Sequence, residues 1–126
     1  MSDSFKGATG VRRIINAAGY SLNGLKTAYR GEAAFRQLVW LALVLIPVAI
    51  LLPVGYQAKA LLIGVVLLSL IIELLNSAIE AAVDRISMER HPLSGAAKDM
   101  GSAAQMIGLL CIAVVWSLVL LGAFTT

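Results

Sequence analysis

Apolar residues run along this chain in three long blocks separated by short polar breaks. The stretch from Gln37 to Ala58 carries no acidic or basic residue and contains LVWLALVLIPVAILL. That is about the 20 residues needed to cross a hydrocarbon core roughly 30 Å thick. Pro47 inside it predicts a kink, which membrane helices tolerate. Pro53-Val54-Gly55-Tyr56 predicts a compact turn. The second block, LLIGVVLLSLIIELLNSAIEAAV, has no breaker and predicts a helix that continues past the bilayer. A short link around His91-Pro92 leads to the third block, charge-free from Met100 to about Phe124. The expected spans are 35–52, 58–84 and 94–124 within a single domain covering 1–126.

Ahead of these blocks the pattern changes. Val11, Ile14, Ile15, Ala18, Leu22, Leu25 and Tyr29 recur at helical spacing, with Arg12, Arg13, Asn16, Lys26 and Arg30 elsewhere around the wheel. This predicts an amphipathic helix over about 5–30, lying on a membrane surface with its basic residues near anionic lipid. The fold class expected is all-α: one surface helix and three transmembrane helices.

Composition narrows the class further. With 60% hydrophobic residues in 126, a soluble domain would lack the polar surface to cover its core. The single cysteine, Cys111, excludes an internal disulfide and a thiolate metal cluster. A net charge of +3, not gathered in one block, gives no expectation of a nucleic-acid partner. Charge is sorted by membrane side instead. Lys6, Arg12, Arg13, Lys26, Arg30 and Arg36 precede the first span, Arg85, Arg90 and Lys98 lie between the second and third, and only Lys59 lies in the opposite loop. The positive-inside rule predicts a cytoplasmic N-terminus and a C-terminus on the far side. No cleavable signal peptide is expected, so insertion would rely on the first span.

One segment carries the chemistry. ELLNSAIEAAVDR places Glu73, Asn76, Glu80 and Asp84 at i, i+3, i+7 and i+11, all on one helical face. A charge at the bilayer centre costs roughly 2.5–3.5 kcal/mol on insertion scales and usually marks function. If the second span enters near Ala58, about 20 residues at 1.5 Å each bring it to the inner boundary near Ala78. Glu73 then lies roughly 7 Å inside the hydrocarbon and Glu80 just beyond it, while Asp84 lies a further turn into water. Glu32, Lys98 and Asp99 immediately precede spans and share the interfacial level.

A carboxylate partly withdrawn from water, at the depth of a lipid head, suits a general base. Glu32 and Glu80 could share magnesium, which typically takes one or two carboxylates plus phosphate oxygens, and Lys98 could balance phosphate charge. The sum is a phosphoryl-transfer site between a lipid hydroxyl and a water-soluble donor. Each residue also has a plainer reading. Asn76 could bridge helices, Glu80 and Asp84 could form a solvated helix end, and Lys98-Asp99 could be an interfacial pair. Ser77, Ala78, Ala81 and Ala82 read as a small-residue packing face. There is no GxxxxGK[ST], no GxGxxG ahead of a helix and no HRD or DFG set, so a nucleotide would bind without a soluble nucleotide-binding fold. A proton-coupled transporter and a structural subunit stay open at this point. The first sits poorly with carboxylates clustered at one interface, and the second leaves them without a reason.

The ELLNSAIEAAVDR segment, EAAFRQ at Glu32–Gln37, AAGYS at Ala17–Ser21 and AKDMGSAA at Ala97–Ala104 closely resemble the bacterial integral-membrane diacylglycerol kinases. The likeness runs from about Val11 to Trp116, and is closer to that branch than to the related undecaprenol kinases, which remain the alternative. It implies a homotrimer in the bacterial inner membrane, with a periplasmic C-terminus, that uses MgATP to convert diacylglycerol to phosphatidic acid at sites formed between subunits. Carried over by motif, the resemblance implies Glu73 as general base with Asn76 in support, and Glu32 and Glu80 as magnesium ligands. It implies nucleotide contacts from Arg13, Tyr20, Glu32, Glu80, Glu89, Arg90, His91, Lys98 and Asp99. A lipid pocket is implied along Ser21, Phe35, Arg36, Gln37, Glu73, Ser102 and Trp116. Two departures stand out: Leu38 follows FRQ where well-known members have an acidic residue, and the loop reads HPLSG.

Overall fold

The computed structural model describes residues 9–125. The first few residues of the expected surface helix, up to position 8, lie outside them. The rest is four helices: α1 Gly10–Gly31, α2 Ala33–Leu51, α3 Tyr56–Ile86 and α4 Pro92–Phe124. No strand occurs among the described residues. The last three helices are long and apolar enough to cross a membrane.

Chain geometry explains where α1 stops. Gly10 opens it at φ +60°, a conformation that side chains disfavour. At the other end a single extended residue, Glu32 (φ −121°, ψ 108°), separates α1 from α2 and caps both. The Arg36 guanidinium donates from Nη1 to the carbonyls of Tyr29 at 2.8 Å and Arg30 at 3.0 Å. It thereby satisfies acceptors that the helix end leaves open, and places positive charge at the negative end of its dipole. Only Ala28 of α1 is buried, and Val11, Ile14, Ile15 and Leu22 present an uncovered apolar face.

The spans differ in length. At about 1.5 Å per residue, the 19 residues of α2 reach about 28 Å, close to a hydrocarbon core, whereas the 31 of α3 and 33 of α4 reach about 46 and 50 Å. α2 and α3 are joined by the tight 52–55 turn, where the Val54 amide bonds the Leu52 carbonyl at 2.8 Å. Their ends are therefore level there, and the surplus length of α3 and α4 projects from the opposite end. Lys59 bonds the Ile50 carbonyl near that turn. The α2 helix continues through Pro47.

Packing is strongest between α3 and α4, looser between α2 and α3, and looser again between α1 and α2. Along α3 the buried positions are Leu62, Val66, Ser69, Glu73 and Asn76; along α4 they are Gly101, Gln105, Gly108, Ile112 and Trp116. Steps of three and four residues make each set one seam, and the two run antiparallel. Polarity divides the seam lengthwise. The apolar core of Ala42, Ala49, Leu62, Val66, Ile112 and Trp116 fills the half near the 52–55 turn. Ser69, Glu73, Asn76 and Gln105, the buried polar residues, fill the other half. Leu38, the departure in the FRQ segment, is buried in α2, where an apolar side chain needs no partner.

Candidate functional site

Glu73 is the centre of the polar half. Its side chain belongs to a residue only 7% exposed, and Oε1 accepts a hydrogen bond from Gln105 Nε2 at 3.1 Å. The same amide nitrogen donates to the Ser69 carbonyl at 3.0 Å, while Ser69 Oγ donates back to Val66 at 2.7 Å. One turn on, Asn76 is buried against Gly101, where a Cβ would stand 2.1 Å from Asn76 Oδ1. A side chain at that crossing would force the Asn76 amide or the helices to shift, because the amide occupies the space it would need. Asn76 Oδ1, Ser77 Oγ and Gln105 Oε1 are buried without a hydrogen-bond partner in the chain. Native interiors rarely leave such atoms unpaired, and three within a short stretch set this region apart from ordinary packing.

Two cavities lie toward the end where α3 and α4 project, and Glu73 lines neither. A groove of about 650 Å³ lies between α1 and α3, lined by Ser21, Gly24, Ala28, Glu32, Leu74, Ser77, Ala78 and Ala81 among others. The small residues of α3 that read as a packing face leave room here rather than closing a helix contact. Ser21 lies in the groove wall with its hydroxyl bonded to the Ala17 carbonyl. The second cavity, about 530 Å³, occupies the α3–α4 corner and is lined by Asp84, Ser87, Glu89, Arg90, His91 and Lys98 with their neighbours. Lys98 Nζ lies 2.8 Å from Asp84 Oδ1 across that corner, both side chains 42% exposed. His91 caps α4, its Nδ1 accepting from the Leu93 amide at 3.1 Å, and Pro92 occupies the first turn, where the lost N–H carries no penalty.

The candidates from sequence therefore divide. Glu89, Arg90, His91 and Lys98 share the corner cavity, and Ser21 and Glu32 share the groove. Glu80 stands half-buried on α3, two turns from Glu73, and its charge acts on Lys98. Arg13 and Tyr20 lie on α1, and Asp99 follows Lys98 on α4; none of the three borders either cavity. Gln37 and Ser102 are exposed on α2 and α4. Phe35 is 3% exposed, beside Leu25, Tyr29, Val39 and Leu70 between α1 and the spans. Arg36 serves here as the clamp on the end of α1. Trp116 is far from the other candidates: it is buried in the apolar core with Nε1 donating to the Leu62 carbonyl at 3.2 Å. Within one chain it is a packing residue, its indole N–H being satisfied by the facing helix.

Sequence reasoning missed Gln105 and the partner of Lys98. Depth alone set Asp84 aside, yet the projecting helices carry it opposite Lys98. Gln105 had a readable signal, as the polar member of a charge-free block at four and three residues from Gly101 and Gly108. Among the described residues no three His, Cys, Asp or Glu side chains gather as a ready-made metal cage. Glu32 and Glu80 are hard oxygen donors near water. Such donors are the kind magnesium takes, since it keeps waters and substrate oxygens in its shell, but of the two only Glu32 lines a cavity.

A family model described as prokaryotic diacylglycerol kinase matches residues 19–120. The chain is 66% identical over 118 residues to a diacylglycerol kinase of Pseudomonas aeruginosa, covering 94% of this chain and 96% of that protein. It is 50% identical over 116 residues to the one from Escherichia coli K12, covering 92% and 95%. Likeness to a Helicobacter pylori diacylglycerol kinase is 46% over 117 residues, covering 93% and 91%.

Proposed function

This chain belongs to the prokaryotic diacylglycerol kinase family and is a diacylglycerol kinase, and we propose that Glu73 is the base at the centre of its reaction. The observation that carries the proposal is a single buried carboxylate on the α3–α4 seam, oriented by an amide, in a protein whose substrate is a lipid alcohol. As the primary hydroxyl of diacylglycerol attacks the terminal phosphorus of ATP, Glu73 takes its proton. The new O–P bond forms as the bond to the β-phosphate oxygen breaks, giving phosphatidic acid and ADP. Asn76 supports the site from the next turn. Magnesium held by Glu32 and Glu80 with the ATP phosphates would neutralise charge on those oxygens. The nucleotide lies at the water side, where the corner cavity gathers Arg90, His91 and Lys98, with Arg13, Tyr20, Glu89 and Asp99 as further contacts. The lipid head approaches along the groove beside Ser21, and Phe35, Arg36, Gln37 and Ser102 serve the lipid, with the acyl chains left in the bilayer.

The protein resides in the bacterial inner membrane, with α1 on the cytoplasmic leaflet and the C-terminus in the periplasm. Its working form is a homotrimer. One feature supports that reading: the nucleotide-side and lipid-side candidates face different cavities. Sites completed between subunits would unite them.

The decisive experiment is a mixed-micelle assay with MgATP. Purified protein should phosphorylate diacylglycerol far faster than undecaprenol, and Glu73→Gln should abolish kcat while the oligomer and nucleotide binding persist. A preference for undecaprenol would reassign the acceptor. Near-normal turnover in Glu73→Gln would remove the base assignment.

A further inference from the structure

We propose that Gln105 is a positioning residue for Glu73, fixing which carboxylate oxygen is free to receive the lipid proton. This inference rests on the reading of Glu73 as the base. Its starting point is a buried amide in the part of α4 that carries no charge, beyond Asp99. Gln105 is 8% exposed, and a polar group withdrawn from water is disfavoured unless it finds partners. It finds them only through its nitrogen, which donates to Glu73 Oε1 at 3.1 Å and to the Ser69 carbonyl at 3.0 Å.

Those two acceptors set the amide's orientation. Turning the amide over would bring its oxygen against a carboxylate and a carbonyl, neither of which can donate. The oxygen instead points where it accepts nothing in the chain. A side chain retained for packing alone would not favour an arrangement with an orphaned acceptor, whereas one retained as a donor to Glu73 would. Space is reserved for it as well: a Cβ at Gly108 would stand 2.8 Å from Gln105 Oε1 and 2.9 Å from Ile72 Cδ1. The helix therefore lacks a side chain where the amide sits.

The consequence is chemical. With Oε1 held by Gln105, rotation of the carboxylate is restricted and Oε2 is left as the proton acceptor. A lysine or arginine in the same place would lock the carboxylate into an ion pair; the neutral amide orients it without cancelling its charge.

The test uses purified full-length protein in mixed micelles, with Gln105→Met, close in size but without a donor, and Gln105→Asn, whose amide is one methylene too short. Both should lower kcat about tenfold, at the low end for losing a hydrogen bond to a charged group. KM for diacylglycerol and for MgATP should stay within about twofold, since an interaction felt mainly in the transition state lowers kcat alone. In a Glu73→Asp background, where the retracted carboxylate no longer meets the amide, Gln105→Met should have little further effect. Wild-type kcat in both single variants would overturn the proposal. So would an equal, additive loss on the Glu73→Asp background, which would mark Gln105 as structural. Glu73→Gln run in parallel separates the two readings. If it keeps turnover, the base assignment fails; if it is dead while both Gln105 variants are normal, only the positioning role fails.

Discussion

Gly101 and Asn76 share one crossing of α4 and α3: a Cβ on the glycine would stand 2.1 Å from the amide oxygen and 3.1 Å from its Cγ. The contact lies one turn from Glu73, so its packing and the site's geometry are the same structure.

Gly101→Ala should therefore reduce activity more than stability. The amide must swing away or the helices must part, and overpacking a seam costs about 1–3 kcal/mol. The added Asn76→Ala change should restore much of the thermal stability by removing the clashing atoms, without restoring kcat. Melting in detergent and turnover on the same preparations check this. A double variant that regains activity would show that Asn76 is only a spacer.

The ion pair of Lys98 with Asp84 makes a different prediction. Both side chains are 42% exposed, and pairs open to solvent add little to stability, so Asp84→Asn should leave the melting temperature nearly unchanged. If Lys98 serves the nucleotide phosphates, it must exchange Asp84 for them. Lys98→Ala should then raise KM for MgATP severalfold, and Asp84→Asn should leave it equal or lower. Equal increases in both variants would assign the work to the pair rather than to the lysine.

The contrast between these residues shows what the sequence made legible. A charge in an apolar helix is conspicuous, so Glu73, Asn76 and Glu80 could be singled out by cost and spacing alone. The three spans were equally plain, because hydrocarbon leaves the chain few ways to satisfy its backbone. Contacts made by a second helix were not legible. Whether Gln105 meets Glu73 or lipid depends on the register of α4 against α3, which no single-helix periodicity contains. Arg36 was hidden for a related reason: its clamp on Tyr29 and Arg30 exists only because Glu32 breaks the helix. Trp116 was drawn toward the lipid pocket by resemblance, while the register places it against Leu62 in the apolar half.

Trp116→Phe tests that placement. It removes the bond to the Leu62 carbonyl while keeping an aromatic ring, and should cost about 0.5–1.5 kcal/mol of stability. Leu62 lies eleven residues from Glu73, about 16 Å along α3, so kcat and the KM for diacylglycerol should hold. A rise in lipid KM without loss of stability would return Trp116 to the lipid pocket.

Glu73 and Glu80 share one face of α3 but not one environment. Seven residues part Glu73 from Glu80, about 10 Å along the helix axis, and only Glu73 is sealed in the α3–α4 seam. A residue that takes a proton from the lipid and one that holds magnesium should fail differently. If Glu80 holds magnesium, Glu80→Gln should weaken that site without removing it, because Glu32, water and the phosphates would still supply oxygens. Its activity should need several times more magnesium and recover in part when magnesium is raised at saturating ATP. Glu73→Gln should stay inactive at every magnesium concentration, since no excess of metal replaces the missing base. Titrating free magnesium on the two variants side by side makes the distinction. Recovery by Glu73→Gln, with none by Glu80→Gln, would exchange their roles and move the base toward the water side of α3.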